Sequence, residues 1–117
     1  MSEQTRLGRI EVAPEAIATL ASGAVLNSYG VVGMASATVR DGIAELLGRE
    51  AANRGVHVKL HDDKIVIDLF VIIEYGTRVS TVAQNIMSAV QYSVERALGV
   101  DVALVNVHVQ GLRVSSQ

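Results

Sequence analysis

Between Lys64 and Tyr75 the apolar side chains Ile65, Ile67, Leu69, Val71, Ile73 and Tyr75 fall on every second position, the period of a strand with one face in a core. Gly76 breaks the run. Beyond it Val79, Val82, Ala83, Ile86, Val90, Val94 and Ala97 take up the i, i+3, i+4 spacing of a helix stripe, which Gly99 ends. Val105, Val107 and Val109 then return to period two and predict a last strand with those three valines inward.

The first half of the chain follows a similar plan. Leu7 to Val12 reads as a short strand, Pro14 suits a first helical turn, and Ile17, Leu20, Ala21, Ala24 and Val25 form a helix stripe. Gly30 stands where the helix end calls for left-handed backbone, and Val31 to Val39 follows as a strand. Between the halves, Asp41 to Gly55 predicts a short helix with Asp41 as N-cap and Gly55 as terminator. Its Ile43, Leu46 and Leu47 lie opposite Glu45, Arg49 and Glu50, which suits either a lid over the sheet or a docking helix. Val56, Val58 and Leu60 alternate with His57, Lys59 and His61, and the turn through Asp62 and Asp63 closes a hairpin onto the long strand.

The order β-α-β-(short α)-β-β-α-β predicts an α+β fold, with two helices packed on one face of a mixed or antiparallel sheet. It forms a single domain over residues 7–114, with 1–6 and 115–117 as flexible termini. Helices on one side leave the other face bare. Alternation assigns that face His57, Lys59, His61, Val66, Asp68, Phe70, Ile72, Glu74, Asn106, His108 and Gln110. Phe70 is the only phenylalanine, and with Val66 and Ile72 it makes an apolar patch rimmed by Asp68 and Glu74. That is the pattern of a contact surface, and it predicts a homo-oligomer joined through this face.

Composition narrows the chemistry. Half of the 117 residues are hydrophobic but only 3% are aromatic, so the core is aliphatic. Without cysteine there is no disulfide, no thiolate nucleophile and no Cys-ligated metal site. Met1 to Gly8 is polar and lacks the apolar region of a signal peptide, and no apolar run approaches the roughly 20 residues that span a bilayer. A cytoplasmic address fits, with any membrane association borrowed from a partner.

Net charge is −2, which argues against broad phosphate binding, so no nucleic acid is expected. Gly30-Val31-Val32-Gly33 has the spacing of a KH loop, which keeps a small KH-like nucleic-acid-binding domain as the alternative, but two valines fill its middle. No Gly-rich nucleotide-binding motif occurs, and no cofactor is expected. His57 and His61 on one strand stand roughly 13 Å apart, too far for one ion, which leaves only a cross-strand pairing with Asp68 or His108. No metal site is assigned. Nothing places a hydroxyl nucleophile beside a base, so no catalytic residue is assigned and an enzyme is not expected.

The chain also resembles the alkaline shock protein family of Gram-positive bacteria, whose members are linked to cell-envelope stress. The resemblance rests on Gly8-Arg9-Ile10, the run Tyr29 to Met34, Asp41 to Gly48 and Arg54-Gly55-Val56. It continues through Ile67-Asp68-Leu69, Glu74-Tyr75-Gly76 and Val105 to Gly111. Together these cover roughly Leu7 to Leu112. The resemblance implies a non-enzymatic cytoplasmic protein that self-associates in some members and is held near the membrane by a small membrane-anchoring partner.

Overall fold

The computed structural model describes residues 1–114, so the predicted tail at 115–117 lies outside the described residues. In chain order the elements are β1 (Ser2–Thr5), β2 (Gly8–Glu11), α1 (Pro14–Leu26), β3 (Val31–Arg40) and β4 (Ile43–Leu46). A 3₁₀ helix (Arg49–Gly55) leads to β5 (Val56–His61), β6 (Lys64–Glu74), α2 (Val79–Leu98) and β7 (Val102–Arg113).

The spine is β6. Along one of its edges β7 runs parallel, from Ile65 opposite Val102 to Glu74 opposite Arg113. The other edge is shared. There β5 pairs antiparallel with Lys64 to Leu69, and the start of β3 pairs antiparallel with Val71 to Ile73. The sheet is mixed, and β6-α2-β7 is a parallel βαβ unit.

Both helices lie on one face. Ile65, Ile67, Leu69, Val71 and Ile73 of β6 meet Ile17, Ala21 and Val25 of α1 and Val82, Ile86, Val90 and Val94 of α2, all of them buried. The four α2 residues recur every fourth position, which keeps one narrow stripe against the sheet. Gly99 caps α2 in the left-handed conformation at φ 71°. Val102 is tied back to the same helix, its N–H donating to Glu95 at 2.8 Å and its carbonyl accepting from Gln91. The fold class is α+β, as the periodicity predicts.

Three local expectations need correction. The Leu7 to Val12 strand exists as β2, but it pairs with β1 in a separate two-stranded hairpin and does not enter the sheet. The Thr5 hydroxyl accepts from the N–H groups of Leu7 and Gly8 and donates to the Gly8 carbonyl, so the turn is closed locally.

The second correction is the predicted helix from Asp41. Asp41 and Gly42 both have positive φ, 53° and 72°, as the two central residues of a tight hairpin turn. A left-handed turn starts no right-handed helix. Ile43 to Leu46 therefore return as β4 beside β3, and only Arg49 to Gly55 wind, as a 3₁₀ helix.

The third concerns Ile72, predicted on the bare face but fully buried. The β3–β4 hairpin crosses that face at the end of β6 and lays Ala35 and Ala44 over it. Gly111 of β7 lets the two strands approach closely at this crossing, since a Cβ there would stand 3.3 Å from the Ala44 Cβ. The crossing is pinned by polar contacts: Gln110 Nε2 donates to the Ala37 carbonyl at 2.9 Å, and Arg113 Nη2 donates to the Ala44 carbonyl.

Candidate functional site

The part of the outer face that the hairpin leaves uncovered spans β5, the first two thirds of β6 and the middle of β7. Register places His57 opposite Asp68, Lys59 opposite Val66, Asn106 opposite Asp68 and His108 opposite Phe70. Period-two alternation therefore gathers these seven side chains on one surface, as the sequence predicts.

Asp68 is the polar centre. It is only 8% exposed, and burying an unpaired carboxylate is costly, so its partners matter. Asn106 Nδ2 donates to Oδ1 at 3.0 Å. His108 Nε2, as the protonated ring nitrogen, donates to the same oxygen at 3.2 Å, and Lys59 Nζ stands 3.4 Å from Oδ2. Burial pushes the Asp68 carboxyl up, but the hydrogen bonds from Asn106, His108 and Lys59, with the lysine charge, outweigh it and hold the pKa below the usual value. Among the described residues no buried side-chain nitrogen or oxygen lacks a partner.

Phe70 is the apolar centre. His108 stacks on it with centroids 4.7 Å apart and planes 14° apart, and His57 approaches from the other side at 5.1 Å and 58°. One ring from each of three neighbouring strands makes a continuous row. Val66 and Phe70 are half-buried, while Leu104, opposite Val66, is 58% exposed. What alternation alone did not show is that the two histidines cover the Phe70 ring and that one of them also serves Asp68.

The remaining predicted contact residues disperse. Glu74 is half-buried at the far end of β6, where its N–H donates to the Gly30 carbonyl. Ile43 is 67% exposed on β4, and Leu46 lies over Gly33, where a Cβ would stand 2.8 Å from its Cδ1. Leu47 turns the other way and packs against the main core. Ile43, Leu46 and Leu47 are thus no helical face. The signal for the hairpin was present in the sequence as Asp41-Gly42 between Thr38-Val39 and Ile43, a tight-turn dipeptide flanked by β-branched residues.

His108 has its one hydrogen bond with Asp68, and no hydroxyl joins the pair among the described residues. His61 sits at the end of β5 beside Asp62, away from the other two histidines. Among the described residues no group of three or more His, Asp or Glu side chains is placed to hold an ion. In Gly30-Val31-Val32-Gly33, Gly30 turns at φ 84° and Gly33 is already buried in β3, so no loop stands free to clamp a nucleic-acid backbone.

The chain is thus an α+β domain with helices on one face of its sheet and an open surface of mixed polar and apolar side chains on the other. The model of the alkaline shock protein 23 family, described as having a cell envelope-related function, matches residues 2–114, and the chain belongs to that family. It is 42% identical to the uncharacterized protein YloU of Bacillus subtilis, over 97% of this chain and 95% of that one. It is 38% identical to the uncharacterized protein Spy1614 of Streptococcus pyogenes, over 94% and 92%. A stress response regulator gls24 homolog of Streptococcus pyogenes is 32% identical over 88% of this chain, which spans only 56% of that longer protein. No solved structure matches the chain at a significant level. No helix among the described residues is long and apolar enough to cross a membrane.

Proposed function

We propose that this protein is a non-enzymatic interaction module of the cell-envelope stress response, which self-associates and uses the open sheet face around Phe70 as its contact surface. The observation that carries the reading is the ring row on that face. Its aromatic centre is half-buried, not fully covered by the chain itself, and the Asp68–Lys59 ion pair lies on the same face. Such a surface supplies both apolar area and orientation to a partner. Family membership and the name of the gls24 homolog support the envelope and stress context. The protein acts in the cytoplasm, and a small membrane-anchoring protein partner holds it near the membrane.

Sedimentation equilibrium on the wild type and on Phe70→Glu tests the reading. Burying an aromatic side chain stabilises by about 1.5–3 kcal/mol, so the variant should weaken association by roughly tenfold or more while its circular dichroism stays native. A wild type that remains monomeric at high micromolar concentration would remove self-association. A Phe70→Glu variant that unfolds outright would show that the ring serves the fold instead.

A further inference from the structure

The sheet has an edge that its sequence leaves unguarded. β7 is twelve residues long and among the described residues pairs only with β6, so its outer edge faces away from the sheet. Exposed edges are usually protected by lysine, proline, inward charges or short length. The other two outer strands follow that rule. β4 is four residues long and carries Glu45, and β5 carries Lys59 and runs into Asp62, Asp63 and Lys64. From Val102 to Leu112, β7 has no proline, lysine, arginine, aspartate or glutamate, and valine takes four of its positions. Only its first residue is capped, by Glu95 and Gln91 from α2.

We infer that the occupant of this edge is the β7 strand of a second copy, antiparallel about a two-fold axis through Val107. The inference rests on the reading above that copies associate, and it names a contact separate from Phe70. Charge selects the partner and the register. The eleven uncharged residues are bounded by Asp101 and Arg113, and pairing about Val107 sets Asp101 of each copy opposite Arg113 of the other. The arginine spends one donor on the Ala44 carbonyl and has four more.

Backbone regularity agrees. The two irregularities of β7 against β6 fall at Ala103 and Gln110, so Val105 to Val109, the five residues around the axis, are free of bulges. A two-fold normal to the sheet also keeps the faces in step. The helices of both copies then lie on one side, and the two rows of His57, Phe70 and His108 lie together on the other.

The chain has no cysteine, so a single one reports the register. On the axis, Val107→Cys faces its own mate at the roughly 4.5–5.5 Å Cα separation of an antiparallel pair, within disulfide range. Val109→Cys shares the same face of the strand but is four residues, or roughly 13 Å, from its mate. Under a glutathione redox buffer Val107→Cys should become a disulfide-linked dimer and Val109→Cys should not, both with native circular dichroism. If the wild type dimerises, yet Val107→Cys forms no disulfide, the edge contact is wrong and self-association stands. A wild type monomeric at high micromolar concentration removes both.

Discussion

His108 lies flat on Phe70, its ring 4.7 Å away with planes 14° apart, while its Nε2 reaches the carboxylate of Asp68 at 3.2 Å. One side chain of β7 thereby joins the apolar and the polar centres of the open face, both carried by β6. The face is held together by contacts within the chain itself. A surface whose side chains are already held loses less rotamer freedom on binding.

The Asp68 carboxylate predicts a pH dependence of stability. Its folded pKa lies below the unfolded value of about 3.9, so near those values the unfolded chain binds more protons and stability rises with pH. The contribution is present at neutral pH and is lost as pH falls below about 4 through the folded pKa. Urea unfolding at pH 7 and at pH 3.5 should show a larger acid loss for the wild type than for Asp68→Asn. Equal losses would mean that the carboxylate is not held by Asn106, His108 and Lys59.

The helix stripe is tested at Ile86, which is fully buried in the middle of α2. Ile86→Ala should cost about 2–5 kcal/mol in chemical denaturation. That is a large share of the roughly 5–15 kcal/mol of an ordinary domain. A loss below about 0.5 kcal/mol, the size of a surface change, would contradict the packing.

Two glycines separate strain from crowding. Gly30 and Gly76 both have positive φ, at 84° and 95°. At Gly30 a Cβ would also stand 2.7 Å from Cγ2 of Val82, itself only 3% exposed, whereas at Gly76 the space is open. Gly76→Ala should therefore cost only the left-handed backbone penalty of about 1–2 kcal/mol. Gly30→Val should cost clearly more, or prevent folding, because a β-branched residue resists that backbone and meets a fixed neighbour. Thermal melts of the two variants compare them directly.

Ile72 and Val66 share a strand face but differ in what lies above them. Ile72→Ala should lose about 2–5 kcal/mol, since the β3–β4 hairpin seals it. Val66→Ala, on the uncovered part, should lose less than half as much. Equal losses would show that the hairpin does not cover Ile72.

Much of this molecule is legible in its alternation. The long run of β6 and the four-residue recurrence in α2 each specify an element, a face and a class, because periodicity is a property of neighbouring residues. The same alternation brought His57, Lys59, Asp68, Phe70, Asn106 and His108 to one face, since parity along a strand decides which side a residue takes. Asp41-Gly42 was also local, but its helix reading weighed capping chemistry where the turn geometry of the dipeptide prevails.

What only the tertiary structure decided lies in contacts between residues far apart in the chain. No periodicity states that β3 and β5 share one edge of β6 while β7 takes the other, because hydrogen-bond partners between strands are chosen by the closed sheet as a whole. Nor does any local pattern place Gln110 on the carbonyl of Ala37, 73 residues earlier. That contact and the Ala44–Gly111 approach fold the hairpin over Ile72 and stop it short of Phe70, so the extent of the candidate site follows from packing. The sequence by itself determined the elements and their faces through short-range geometry. The tertiary structure alone decided how much of one face remained open, because that depends on which distant surfaces meet.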